Sequence, residues 1–130
     1  MTRTQAERQA IKRDGQTCLR CGRNLYGIPA SVHHRLPRSR GTKAQVDRVE
    51  NLVLLCGSGT SAGHCHQWVH THPTEAVATG WTVPAGPDLP SEIPLVALDG
   101  SSFFLTEEGD IVPLMPSGFY PSPADFTPTF

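Results

Sequence analysis

The order of apolar and polar positions along the chain predicts short helices and short strands. Thr4 and Glu7 form a capping-box pair ahead of a polar stretch that stops at Asp-Gly, which predicts a helix over residues 4–14. Residues 30–36 have the pattern of a strand closed by a proline. The apolar run at residues 50–56 predicts a second strand or a buried turn.

The same patterns are used to interpret the segments that remain, between residues 38 and 114. Residues 38–45 are basic and polar and are interpreted as a loop, whereas residues 64–72 have helical spacing, with one or two further turns up to residue 80. Asp99-Gly100 lies between two apolar runs, which predicts a β-hairpin with a two-residue turn. A second turn in "EEGD" would lead into a third strand, residues 111–114.

Proline content divides the chain of 130 residues. Nine of its twelve prolines follow Trp81, so we expect a compact domain over residues 1–81, a Pro-rich β-hairpin extension over residues 82–115, and a disordered tail over residues 116–130. A domain this small buries little apolar surface, so we expect a metal ion or a disulfide to stabilise it.

Charge is also unevenly distributed. All eleven Lys and Arg residues precede Val49, together with only three of the twelve acidic residues, so the first 48 residues carry a formal charge of +8 and the rest −9. Such a split favours a polyanion-binding first half over a merely solvated basic face. No secretory signal and no membrane-spanning run is apparent, so we expect a cytoplasmic protein.

Four cysteines, Cys18, Cys21, Cys56 and Cys65, suit a structural zinc site. A Cys-x-x-Cys turn presents two thiolates as tetrahedral zinc requires, and the Gly/Ser-rich insert between the second pair can loop out at little entropic cost. Disulfides and buried free thiols are the alternatives. His64 would be the substitute fourth ligand if Cys65 could not reach the ion.

The histidines suggest a second metal site. His66 and His70 are four positions apart, so on a helix they share one face. Such a pair alone is equally compatible with solvent-exposed histidines. His33 and His34, available from the predicted strand, strengthen the metal interpretation, and alternation along a strand sends these two neighbours to opposite faces.

Several separated segments resemble those of HNH endonucleases, the ββα-metal nucleases. "CLRC", "VHHRLPRSRGT", "ENLVLLC" and "CHQWVH" occur in the family's order within residues 18–70, and the flanks resemble small HNH proteins of phages. This resemblance implies an α+β fold: a small ββα-metal, treble-clef-like, zinc-stapled domain, here followed by the C-terminal hairpin. The second cysteine pair departs from the family by its longer spacing.

The resemblance also implies roles for particular residues. His34 would be the general base, Asn51 would orient it, and His33, His66 and His70 would bind a catalytic divalent ion. Because His33 stands where an acid is common, the ion could be Mn²⁺, Ni²⁺ or Zn²⁺ as well as Mg²⁺. The basic residues of the strand and its loop would bind DNA: Arg35, Arg38, Arg40 and Lys43.

These observations predict a metal-dependent HNH endonuclease that cleaves DNA. The resemblance to small phage HNH proteins further implies phage terminase subunits as partners in genome packaging, and a location in the host cytoplasm if a phage encodes the protein. The alternative is a zinc-ribbon-like module that binds nucleic acid or protein without catalysis. A weaker third reading is a disulfide-stapled secreted protein.

Overall fold

The structure is a computed structural model that describes residues 4–60 and 62–114. The described helices and strands are, in chain order, α1 (Gln5–Asp14), β1 (Ala30–His34), α2 (Lys43–Val46), β2 (Leu52–Cys56), α3 (Cys65–Thr71), α4 (Pro73–Ala78), β3 (Leu95–Val96), β4 (Ser102–Leu105) and β5 (Ile111–Leu114). The tail predicted to be disordered lies outside the described residues. Within them, every helix is too short or too polar to cross a bilayer.

Helix α1 begins with the predicted capping box. The Thr4 hydroxyl accepts a hydrogen bond from the Glu7 amide at 3.1 Å, and the Glu7 carboxylate accepts one from the Thr4 amide at 2.8 Å. The helix ends at Gly15, whose φ of 59° is left-handed and favours glycine. The sequence prediction of this helix is confirmed.

Strands β1 and β2 form an antiparallel pair in which His33 lies opposite Val53 and His34 opposite Leu52. The strand β1 ends at His34, two residues earlier than predicted. The residues before β2 form a 3₁₀ turn, Val49–Asn51, so β1 has no partner strand beyond His34, and the Leu36 amide donates to the side-chain oxygen of Asn51 at 2.7 Å. The two-stranded sheet therefore stops directly after the paired histidines.

The prediction that residues 38–45 form a loop is wrong for this segment. It contains a 3₁₀ turn, Arg38–Arg40, and the short helix α2, which has its own capping box between Thr42 and Gln45. The Thr-x-x-Gln signature is present in the sequence, but no apolar stripe follows it, so the helix was not predicted.

One apolar core joins the two halves of the chain. Its buried members come from the cysteine turn, β2, α3 and the residues after the predicted boundary at 81/82: Cys18, Leu25, Val53, Leu54, Leu55, Cys56, Cys65, Val69, Ala76, Trp81, Leu95, Phe103 and Leu105. All five residues of β2 are buried. Residues 82–105 therefore pack on the same core as residues 18–81.

The C-terminal strands form a separate antiparallel sheet in the order β3-β4-β5. Val96 pairs with Ser102, and the Ala97 amide donates to the Ser101 carbonyl at 2.9 Å. The loop between Ala97 and Ser101 therefore has three residues rather than the predicted two. Gly100 has a φ of 89° in this loop, a conformation that glycine adopts most readily.

Candidate metal centre and active-site cleft

Strand β1 and helix α3 line opposite walls of a cleft of about 700 Å³. Four of the six histidines lie along it: His33, His34, His66 and His70. The rim carries Arg38 and Ser39 from the 3₁₀ turn after β1. The cleft thus brings together the histidines of two segments that are more than thirty residues apart in the sequence.

Three of these histidines form a cluster. The candidate ligand atoms of His33, His66 and His70 all lie within 4.8 Å of one another. His66 and His70 are one helical turn apart on α3, with ring centroids 5.1 Å apart, and the ring of His33 from β1 lies 5.1 and 5.6 Å from them. Three imidazoles at this separation suit one divalent ion bound at about 2.1 Å from each nitrogen.

Hydrogen bonds fix the tautomer of His33. Its Nε2 lies 2.7 Å from the Trp81 carbonyl oxygen, which can only accept, so Nε2 carries the proton. The lone pair is therefore on Nδ1, which is left free for a metal ion. A hydrogen bond from the ring nitrogen that does not bind the metal is the usual way in which a protein orients a metal-binding imidazole.

A similar arrangement fixes His66. The Ser31 hydroxyl donates to the Gly57 carbonyl at 2.6 Å, so its oxygen accepts from His66 Nδ1 at 2.5 Å. The lone pair of His66 then lies on Nε2. Ser31 is two residues before His33 and so lies on the same face of β1.

Both imidazoles are held neutral. Burial, reinforced by the neighbouring histidines, lowers the pKa of His33 to about 3 and that of His66 to about 4. A neutral imidazole is the form that binds a metal ion. His33 and His66 can therefore bind a cation at neutral pH without first losing a proton.

His34 points away from this cluster toward charged residues. Arg38 Nε donates to His34 Nε2 at 3.3 Å, and a carboxylate oxygen of Asp47 lies 3.4 Å from the same nitrogen. Burial and, second, the charge of Arg38 lower the pKa of His34, against the opposing effect of Asp47. His34 is therefore neutral at pH 7, and the Arg38 guanidinium must move away from Nε2 before that nitrogen can accept a proton.

Asn51 is fully buried and does not contact a histidine ring. Its side-chain oxygen accepts from the Leu36 amide, and its side-chain nitrogen donates to the carbonyls of Leu36 at 3.2 Å and Val46 at 2.9 Å. The amide thus ties the end of β1 to the end of α2, on either side of the basic segment.

Arg35 does not lie at the surface as the DNA-binding prediction requires. Its side chain is fully buried, and its guanidinium donates to four main-chain carbonyls: those of Gly80, Glu50, Pro90 and Ile93. Four of its five N–H donors are used in this way, and burial keeps a phosphate from the fifth. This prediction is wrong because the alternation along β1 sends Arg35 inward with His33.

Arg38, Arg40 and Lys43 are exposed, as DNA binding requires. Arg38 lies on the rim of the cleft next to His34. Lys43 pairs with Asp47 at 3.1 Å, one helical turn away. All three cations belong to the segment that follows β1, but of the three only Arg38 lines the cleft.

The four cysteines converge on a second cluster. Their sulfur atoms lie within 4.8 Å of one another, and those of Cys21 and Cys56 are 3.9 Å apart. Four thiolates at about 2.3 Å from zinc are separated by about 3.8 Å, so the observed spacing fits a tetrahedral ion. The cysteines could therefore hold a structural metal such as zinc.

Other polar contacts favour thiolates at this cluster. Arg20 donates to the Cys65 sulfur at 3.3 Å while its guanidinium stacks on Trp68 at 3.6 Å, and the Cys65 amide donates to the Cys56 sulfur at 3.2 Å. The hydrogen bond between the side chains of Cys18 and Cys65 lowers the pKa of Cys18 to about 4 and raises the pKa of Cys65, so one of these two thiols keeps its proton when no metal ion is bound. Because Cys65 reaches the cluster, His64 is not needed as a substitute ligand.

Four contributors to these sites were not predicted: Ser31, Asp47, Arg20 and the Trp81 carbonyl. Period-two alternation with His33 points to Ser31, and Asp47 is the only acidic residue between Arg35 and Arg48. Arg20 lies inside the Cys-x-x-Cys turn. A main-chain carbonyl leaves no signal in the sequence, so the Trp81 contact could be found only from the structure.

Comparison with known proteins agrees with this geometry. The family model described as HNH endonuclease matches residues 18–72, which contain all four cysteines and the four histidines of the cleft. The chain carries an HNH endonuclease domain. No curated protein and no solved structure matched the chain.

The HNH domain gives the two clusters a chemical context. HNH nucleases act on DNA and use divalent metal ions, which suits a cluster of three imidazoles. The family match ends at residue 72, so Trp81, whose carbonyl binds His33, lies beyond it.

The low pKa of His33 predicts a pH-dependent stability. The unfolded imidazole titrates near 6.5, so the stability contributed by neutral His33 is complete above that pH and is lost as pH falls below it. With no metal added to the histidines, the free energy of unfolding from pH 7.5 to 5.5 should fall by about 1.4 kcal/mol more in wild type than in His33→Gln. Denaturant unfolding measures this, and equal pH dependence in both proteins would contradict the assignment.

Proposed function

We propose that the protein is a metal-dependent DNA endonuclease that hydrolyses phosphodiester bonds in the cleft. In this proposal His34 is the general base, and His33, His66 and His70 bind one divalent ion. Asn51 is a positioning residue.

The observation that carries the proposal is the relation between the two neighbouring histidines. His33 belongs to the cluster of imidazoles, whereas His34 lines the same cleft with its ring among Arg38 and Asp47. Phosphodiester hydrolysis needs a cation for the phosphate and a base for the attacking water. Adjacent positions on one strand supply both.

The charged neighbours of His34 support its role as a base. The neutral ring can accept a proton from water as the water oxygen bonds to phosphorus and the bond to the 3′-oxygen breaks. The imidazolium that results has the Asp47 carboxylate beside it, at 3.4 Å. A divalent ion at the histidine cluster would stabilise the charge on the phosphate and on the leaving oxygen.

Asn51 supports this geometry indirectly, through hydrogen bonds to the main chain. Its amide joins Leu36 to Val46, so the segment that carries Arg38 begins and ends at fixed points. Asp47 directly follows Val46. Asn51 therefore positions both charged partners of His34 without touching DNA.

Two kinds of metal ion belong to the proposal. Zn²⁺ occupies the site of the four cysteines as a structural ion. At the histidines the donors are three imidazole nitrogens, a set that favours Mn²⁺, Ni²⁺ or Zn²⁺ over the oxygen-preferring Mg²⁺, although all four are candidates.

DNA is held through its phosphates. Arg38 lines the cleft, and Arg40 and Lys43 are exposed in the segment that follows β1. We therefore expect binding with weak sequence preference. The proposal extends to a phage setting beside the terminase in genome packaging, an extension supported only by the likeness to small phage HNH proteins.

The competing function is a zinc-ribbon-like module that binds nucleic acid or protein without catalysis. It accounts for the cysteines and the exposed cations. It gives no reason for the convergence of His33, His66 and His70 beside His34, which is why we favour the nuclease.

Replacing the proposed base should abolish most of the activity while leaving metal binding intact. For His34→Ala we expect nicking of supercoiled plasmid in Mn²⁺ to slow by about 10²–10⁴-fold, because a positioned base contributes that much. The matched control is His72→Ala, since His72 is exposed and stacks on Trp68 outside the cleft. Equal rates for wild type and His34→Ala, with nicking that depends on Mn²⁺, would rule out His34 as the base; no nicking by any protein would favour the binding module.

Loss of one exposed cation should weaken DNA binding in a salt-dependent way. For Arg40→Ala we expect the slope of log affinity against log salt concentration to become shallower by about 0.9, the value for one phosphate contact. Fluorescence anisotropy with duplex DNA measures the slope. The control is Arg23→Ala, an exposed arginine beside the cysteines; an unchanged slope for Arg40→Ala would remove this residue from the DNA interface.

A further inference from the structure

The part of the chain that follows the family match makes direct contact with the proposed metal site. We propose that residues 80–105 hold the His33 ring in its metal-binding orientation and that Arg35 is the positioning residue that fixes this segment to β1. The inference rests on the proposed function, because it concerns the same three-histidine site.

The contact itself is a hydrogen bond from His33 Nε2 to the Trp81 carbonyl, 2.7 Å long and buried. It is the interaction that directs Nδ1 toward His66 and His70. Without an acceptor at this point, the proton could move to the other ring nitrogen or the ring could turn over. Partners of this kind typically change metal affinity by about 10–100-fold.

The Trp81 carbonyl is held in place by the C-terminal sheet. The Trp81 side chain is fully buried, its indole Nε1 donates to the Val96 carbonyl at 2.9 Å, and its ring packs edge-on against Phe103 at 6.2 Å. The Val96 amide in turn donates to the Thr79 carbonyl at 2.9 Å. Residues 79–81 are thus joined to β3 through both the amide and the carbonyl of Val96.

The residue before Trp81 is packed just as closely. Gly80 has a φ of 82°, and a Cβ atom there would lie 2.0 Å from the Pro94 carbonyl oxygen. Only glycine fits this conformation and this contact without a shift of the main chain. The approach of the C-terminal segment to the metal site is therefore tightly constrained.

Arg35 connects the segment to β1. Its guanidinium donates to the carbonyls of Gly80 at 2.9 Å, Pro90 at 2.9 Å and Ile93 at 2.8 Å, and its own carbonyl accepts from the Val83 amide at 2.8 Å. It is two residues after His33 and so shares its face of the strand. One planar group with several fixed donors therefore binds three points of the segment beside the His33 contact.

The experiment measures metal affinity, not cleavage. Full-length protein with zinc at its cysteines is titrated with Co²⁺, whose d–d absorption reports binding to nitrogen ligands, while thiolate-to-cobalt bands would report any exchange at the cysteines. Arg35→Lys keeps the charge but loses the fork of donors, and Phe103→Leu loosens the packing of Trp81. The matched controls are Arg23→Lys, on the exposed surface, and Phe104→Leu, the neighbouring position on β4.

We expect Arg35→Lys and Phe103→Leu to weaken Co²⁺ binding by about 10–100-fold, and both controls to bind as wild type does. Circular dichroism and zinc content establish that each variant is folded. If Arg35→Lys does not fold, Phe103→Leu decides the question.

Folded variants that bind Co²⁺ with wild-type affinity would overturn the inference and leave the proposed nuclease standing. A wild-type protein that binds no Co²⁺ through nitrogen would overturn the inference together with the metal site of the proposed function.

Discussion

The antiparallel pairing of β1 with β2 determines which way each of two neighbouring histidines points. With His33 opposite Val53, the His33 ring enters the cluster with His66 and His70, and His34 turns toward charged residues. A shift of this register by one residue would exchange the two faces of β1, so that His34 would point to the cluster and His33 to the charged residues. The register is strongly specified because all of β2 is buried. In the proposed function, the separation of the metal ligand from the general base thus follows from the burial of one short strand.

Main-chain groups carry much of the polar network around the site. The Trp81 carbonyl orients His33, the carbonyls of residues 80, 90 and 93 bind Arg35, and Asn51 bonds to the main chain at Leu36 and Val46. Buried polar groups need such partners, and main-chain partners remain in place only if the fold is intact. This explains why a small domain keeps a strand-rich extension against its core: the extension supplies acceptors as well as apolar contacts.

The sequence was most informative where a short-range rule applies. The α1 capping box, the spacing of His66 and His70 on one helical face, and the cysteine turn are all local patterns. It was least informative where an interaction joins distant segments. Alternation along β1 could have assigned Arg35 to the buried face, but its charge and its basic neighbours favoured DNA; the carbonyls that bind it come from residues 50, 80, 90 and 93, which no local pattern brings together.

The central claim is that three imidazoles from β1 and α3 bind one cation and that the neighbouring His34 does not bind it. Crystals soaked in Mn²⁺ and measured for anomalous scattering test it most directly. The account predicts a manganese peak about 2.2 Å from nitrogens of His33, His66 and His70, with no bond to His34, and a separate zinc peak about 2.3 Å from the four sulfurs. Manganese bound to His34, or no peak at the three histidines, would contradict it.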